Sequence, residues 1–148
     1  MELNELAEKL APIIAQRLLV IPRVWGDPQR VIFGTNVVVN NALFNTVSGT
    51  ITLEDDIAFG HNVCLLTGTH DITKKYRARM QASPGEGRNI VIRKGVWLAS
   101  NVTVLGPCEI GENAVVAANS LVMNDIPPNS LYAGSPARFI KELDFSGP

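Results

Sequence analysis

From Ile92 onward an aliphatic side chain returns at every sixth position: Ile92, Leu98, Val104, Ile110, Val116 and Val122. A second, mostly smaller series stands two residues ahead of each following member: Val96, Val102, Cys108, Ala114 and Ser120. Six residues turn an α-helix through about 600°, so this period cannot keep to one helical face. A plain strand has period two and no need of the Gly-x-Asn corners in "IGEN" and "FGHN". Short strands joined by tight corners satisfy both patterns, because Gly and Asn enter the left-handed region at little cost. An earlier block keeps the period at Leu53, Phe59 and Leu65, with Ile57 and Val63 as companions, after a fainter start at Phe33 and Val39. Leu65 and Ile92 lie 27 residues apart, not a multiple of six, which predicts a loop ejected over residues 71–89. The interval from Phe33 to Leu53 exceeds the count by two, which predicts a bulge near residues 44–50.

Three such strands per circuit give coils of about 18 residues, stacked as a triangular parallel prism of about five coils. The fold class expected is all-β, a hexapeptide-repeat β-helix in one domain, with coils over residues 30–70 and 90–126. The period fixes the solenoid but not its hand. Over residues 1–22, Leu3, Leu6, Leu10, Ile13 and Ile14 fall at helical spacing, which predicts a helical cap with a kink or break at Pro12. Residues 127–148 leave the period at Pro127, Pro128, Gly134 and Pro136, which predicts a crossing segment and then a short helix.

Composition narrows the function classes. A net charge of -1 argues against general attraction to nucleic acid or anionic membrane. No run approaches the roughly 18 apolar residues of a membrane span, and the acidic start "MELNELAEKL" is wrong for a signal peptide. A cytoplasmic protein is expected, with Cys64 and Cys108 as two reduced, buried thiols, since they form neither a CxxC pair nor a disulfide framework. The two histidines, His61 and His70, are too few for a three-histidine metal site, so no metal is expected.

His70 closes the stretch "LLTGTHD", where the regular pattern stops. A free imidazole titrates near pH 6.5 and is suited to accept a proton at neutral pH. His61 falls in the corner "FGHNV" and reads as a solvated turn residue. Trp97 is adjacent to the inward Leu98 and so faces outward, where an aromatic side chain suggests a contact surface. The loop carries Lys74, Lys75, Arg77, Arg79 and Arg88 against Asp71 and Glu86, a basic segment suited to phosphate or simply to solvent.

The stretches "LLTGTHD", "VWLASN" and "DIPPNSLYAGSPAR" resemble the bacterial hexapeptide acyltransferases. The likeness is to sugar O-acetyltransferases of the maltose, galactoside and nodulation-factor type, and to those of exopolysaccharide and O-antigen clusters. It covers about residues 30–142. It implies a left-handed β-helix, a homotrimer with three sites between neighbouring prisms, and acetyl-CoA as donor. His70 matches the family's general base and Asn40 its acceptor-contacting asparagine, with Asn41 a rival. Trp97 and Ser100 match positions along the pantetheine arm. Ala118 matches a position where a larger side chain would block the groove. Arg138 and Lys141 match basic residues around the CoA phosphates; Asp71, next to the base, could orient it, as a backbone carbonyl could instead, or could simply be solvated in the loop. Two departures bear on substrate: Asn124 replaces a lysine after the last hexapeptide, and "FNTVSGT" lacks the family's acidic sugar-binding residue. The expected function is acetyl transfer from acetyl-CoA to a hydroxyl of a sugar or polysaccharide precursor. The alternatives are N-acetylation of an amino sugar and a noncatalytic trimeric scaffold.

Overall fold

The computed structural model describes residues 2–147; positions 1 and 148, the extreme ends of the expected cap and terminal segment, lie outside the described residues. After helix α1 (Leu3–Leu18) the chain winds through five coils of short strands. The first holds β1 (Arg23–Trp25), β2 (Val31–Phe33) and β3 (Val37–Val38); the second holds β4 (Leu43–Asn45), β5 (Ile51–Leu53) and β6 (Ile57–Phe59). The third holds β7 (Cys64–Leu66), the inserted helix α2 (Tyr76–Gln81), β8 (Ile90–Ile92) and β9 (Trp97–Leu98). The fourth holds β10 (Thr103–Leu105), β11 (Cys108–Ile110) and β12 (Val115–Val116), and the fifth holds β13 (Leu121–Val122) and β14 (Ser130–Gly134). Three faces result: β1-β4-β7-β10-β13, then β2-β5-β8-β11, then β3-β6-β9-β12-β14 with β15 (Ala137–Glu142) added at its edge.

The register explains the two breaks in the period. Thr103 pairs with Leu121, eighteen residues on, whereas Phe33 pairs with Leu53, twenty residues on. The extra residues collect at one edge of the prism, between the first and second faces. There only Gly106 and Pro107 join β10 to β11, while residues 26–30, 46–50 and 67–89 make the same passage in earlier coils. The bulge and the ejected loop are thus successive insertions at one corner, stacked above one another.

Both periodic series point inward. Ile92, Leu98, Val104, Ile110, Val116 and Val122 are buried, and so are Val96, Val102, Cys108, Ala114 and Ser120. At the corners Asn36, Asn40, Asn62, Asn101, Asn113, Asn119 and Asn129 take φ between 47° and 62°, the left-handed region that asparagine tolerates. Phe33, at the open end of the prism, is 48% exposed because no coil precedes it; its ring meets Phe44 edge-on at 5.9 Å. Phe44 itself is fully buried, paired between Val24 and Leu65. A Phe44→Ala variant is therefore expected to lose about 3–5 kcal/mol of stability, read from the midpoint of urea unfolding.

Four expectations are corrected. Helix α1 runs unbroken through Pro12, which forfeits one N–H bond without ending the helix. None of its residues is buried, so within one chain it does not cover the open end of the prism. Cys64 is not a core thiol: it alternates with inward Leu65 and is half-buried on the outside of the first face. The expected C-terminal helix is strand β15, antiparallel to β14 across a Ser135–Pro136 turn. The reason is the unpaired edge that β14 offers, together with Gly134 at φ 105°, a backbone conformation open to glycine.

The outer surfaces of the faces differ. On the first face Leu43, Cys64, Leu66, Leu105 and Leu121 are half-buried, and Met123 is exposed. The second face carries Ile32, Thr52, Val91 and Glu109 in its outward row, and Arg93 bridges Glu54 at 2.7 Å and Glu109 at 2.9 Å, crossing three coils.

Candidate functional site

His70 lies just past β7, where the chain leaves the prism at the insertion edge. Its imidazole is exposed and makes no hydrogen bond among the described residues. The loop's neck is closed beneath it by Asp71 N–H donating to the Ala82 carbonyl at 2.9 Å. The Asp71 carboxylate is turned away into the loop, accepting from the Thr73 hydroxyl at 2.6 Å and the Thr73 N–H at 2.9 Å. These two bonds, with Lys74 and Arg79 nearby, hold it below the usual carboxylate range. In this arrangement Asp71 shapes the loop and forms no bond to the His70 ring.

Two hollows of about 400 Å³ and about 410 Å³ flank His70. One lies under the loop, against Asp71, Ala82 and Pro84; the other opens toward the first coils, against Trp25, Asn45, Val47 and Gly68. His70, Thr69 and Ser83 border both, so the imidazole stands on the ridge between them. Asn45 Oδ1 accepts from Val47 N–H at 3.0 Å, which leaves its Nδ2 without a partner among the described residues. A Cβ at Gly68 would come within 2.7 Å of the Asn45 amide, so glycine there is what lets these two segments close up. Sequence reasoning missed Trp25, Asn45 and Ser83. The available signal was register: Trp25 pairs with Asn45 at an outward position of the first face, where neighbouring coils carry Leu66 and Leu105.

A second constellation follows the opposite edge, between the third and first faces. Its corners stack Asn40, His61, Ser100 and Ala118 in successive coils. Asn40 has φ 47°, and its Nδ2 donates to the Phe59 carbonyl at 2.8 Å, so Oδ1 is the atom left to meet a ligand. The Ser100 hydroxyl accepts from His61 N–H at 3.1 Å, joining two coils, and Ala118 is exposed. Trp97, 51% exposed, projects from β9 on the adjoining third face. Across that face Ala58, Trp97, Val115, Leu131 and Lys141 stand in register on neighbouring strands. At about 4.8 Å per strand, Trp97 and Lys141 are roughly 14 Å apart along one row. Arg138, opposite Ala133, shares the outer strand with Lys141.

The candidates therefore fall into two half-sites. Asn40, Ser100, Ala118 and Trp97 share one edge and its neighbouring face, with Lys141 and Arg138 at the end of that face, while His70 occupies the other edge. The first face lies between them. Two of the five loop cations are engaged internally: Arg88 Nε donates to the Thr67 carbonyl and Arg79 Nε to the Lys74 carbonyl, each at 2.8 Å. Burial, helped by Asp125 and Glu109, pushes the Cys108 thiol up to about 12, which leaves it a poor nucleophile at neutral pH. Among the described residues no group of three or more His, Cys, Asp or Glu side chains is placed to hold a metal ion, and no helix is long and apolar enough to cross a membrane.

The family model for the bacterial transferase hexapeptide (six repeats) matches residues 89–124. The galactoside O-acetyltransferase of Lactococcus lactis subsp. lactis is 32% identical over 146 residues, covering 95% of this chain and 69% of the relative. That of Escherichia coli K12 is 34% identical over 113 residues, covering 75% of this chain and 53% of the relative. The chain spans only 34% to 53% of three of the relatives it matches. A galactoside acetyltransferase solved in complex with coenzyme A superposes with a TM-score of 0.71 at 27% identity, over 97% of this chain and 74% of that one. A coil of opposite hand would not superpose in this way, and the fold is the left-handed parallel β-helix.

Proposed function

Because this chain belongs to the hexapeptide-repeat sugar O-acetyltransferases, we propose that it transfers an acetyl group from acetyl-CoA to a hydroxyl of a carbohydrate in the cytoplasm, with His70 as general base. The observation that carries this reading is His70 itself, an imidazole free of partners on the ridge between two hollows. Two substrates must meet at one base, and His70 borders two hollows at once. The in-register row from Trp97 to Lys141 supports the donor side. A thin amide chain needs an apolar wall with free backbone beside it, and its phosphates need cations at the far end, which Lys141 and Arg138 supply.

In the reaction His70 takes the proton from the acceptor hydroxyl as the oxygen attacks the thioester carbonyl. The C–O bond forms, the C–S bond breaks, and the same imidazole returns its proton to the departing sulfur. No covalent acyl-enzyme is needed, in keeping with the absence of an available thiolate at Cys108. Asn40 offers Oδ1 to the acceptor hydroxyl, because its nitrogen is held by Phe59. Trp25, 69% exposed, and the free Nδ2 of Asn45 give the hollow toward the first coils an aromatic wall and a donor, a pairing suited to a sugar ring.

The two half-sites become one if copies assemble as a ring. A triangular prism that turns its first face to a threefold axis sets its His70 edge against the next copy's Asn40–Ser100–Ala118 edge. The half-buried apolar side chains on that face and the ion pairs at the second face favour this orientation. The test is calorimetric titration with acetyl-CoA, followed by a screen of hydroxyl and amino sugars for thiol release. The expectation is one site per chain and turnover on a hydroxyl sugar. No binding of acetyl-CoA would end the enzyme reading, and turnover on amino sugars alone would replace O- by N-acetylation.

A further inference from the structure

The loop segment that walls the His70 hollows is held in place by a residue two coils away. Ser83 lines both hollows and Pro84 the one under the loop, and Gly85 follows them directly. Arg30 ends the short turn Pro28–Arg30 in the first coil, at the same insertion edge. Its Nη1 donates to the Thr46 carbonyl at 2.9 Å and to the Gly85 carbonyl at 3.0 Å, and its Nη2 donates to Gly85 again at 3.0 Å. Among the described residues, the two bonds to Gly85 are the only hydrogen bonds that segment 83–87 makes. Its limits are pinned independently, by Asp71 to the Ala82 carbonyl and by Arg88 N–H to the Ser48 carbonyl at 3.1 Å. Between those pins the backbone has little else to hold it: a Cβ at Gly85 or Gly87 would meet nothing within 4 Å, and Gly87 has φ 91°.

We propose that Arg30 is a positioning residue for the acceptor side of the reaction. It clamps the Gly85 carbonyl against the second coil, and so holds Ser83 in place across the hollow from Trp25 and Asn45, with Pro84 held on the wall of the hollow under the loop. The inference rests on the acetyl-transfer reading for its substrate, but the clamp is measurable without turnover. The planar guanidinium reaches two coils at once, whereas an ammonium presents a single point charge, so lysine replaces the clamp only in part.

Two readouts decide it, made on the full chain as Arg30→Ala and Arg30→Lys. A glutamate-specific protease cuts after Glu86, beside the clamped carbonyl. Cleavage there is expected about tenfold faster in Arg30→Ala and intermediate in Arg30→Lys, while the coils stay intact. In the same variants KM for the acceptor rises about tenfold in Arg30→Ala, while kcat and KM for acetyl-CoA stay within about twofold. Unchanged cleavage after Glu86 would overturn the clamp. Faster cleavage with an unchanged acceptor KM would overturn the positioning role. If the parent protein transfers acetyl to no acceptor, the functional reading fails, and the protease rates alone decide the clamp.

Discussion

Replacing His70 by alanine is expected to lower turnover by about 10²- to 10⁴-fold while leaving the fold and acetyl-CoA binding intact. The expectation of a clean variant comes from the surroundings of the residue. His70 is exposed, its side chain makes no hydrogen bond among the described residues, and it lies beyond the last rung of β7, so its removal opens no cavity in the prism. The neck of the loop is closed by the backbone of Asp71 and Ala82, not by the imidazole. An alcohol is a weak nucleophile near neutral pH, so the loss falls on the chemical step and appears in kcat and kcat/KM together. The measurement is thiol release under saturating acetyl-CoA, paired with thermal unfolding and calorimetric titration of the same preparation. Full turnover in His70→Ala would show that the base lies elsewhere. Loss of both turnover and acetyl-CoA affinity would move His70 from the chemistry to the donor groove.

The prism was legible because its rule is local and repeated. Each coil must place one aliphatic and one small side chain per strand inward, so Ile92 to Val122 announces the fold without any knowledge of pairing partners. The two count breaks were legible for the same reason, since a residue inserted at a corner shifts every later member of the series. That both breaks fall at one edge was not legible, because the period records length along the chain and not which corner absorbs it. Strand β15 was missed because residues 137–142 have no inward face to advertise a strand; their pairing is dictated by the open edge of β14. Trp25 and Asn45 were missed because an outward position is defined only by register across coils. At Asn40 the left-handed corner and the bond to the Phe59 carbonyl give the residue a structural duty that the sequence alone could not separate from contact with an acceptor, and they leave Oδ1 without a partner among the described residues.

The placement of half-sites on two edges of one prism leads to a subunit-complementation result. His70→Ala removes the base from one edge. Ala118→Trp fills the groove at the other edge, at an exposed corner residue where a large side chain is accommodated without disturbing the core. Each variant alone is expected to be inactive, because every cleft in a uniform ring lacks either its base or its groove. When the two are unfolded together in equal amounts and refolded, rings of mixed composition form. A cleft then works when an Ala118→Trp copy supplies His70 and the adjoining His70→Ala copy supplies the groove, which random mixing gives in about one quarter of clefts. Recovery of about a quarter of the parent turnover is therefore the expected outcome, against a background reduced 10²-fold or more in each separate variant. The alternative geometry, in which both half-sites of one chain serve the same cleft, predicts no recovery, since neither chain then carries an intact pair. Light scattering on the mixed sample establishes whether a ring has formed. A ring that recovers nothing would refute the shared cleft, and activity from a monomer would refute the ring. The half-buried apolar side chains Leu43, Cys64, Leu66, Leu105 and Leu121, spread over the two outward rows of the first face, are what such a ring would bury, three times over, and their partial exposure in one chain is the physical reason to expect one.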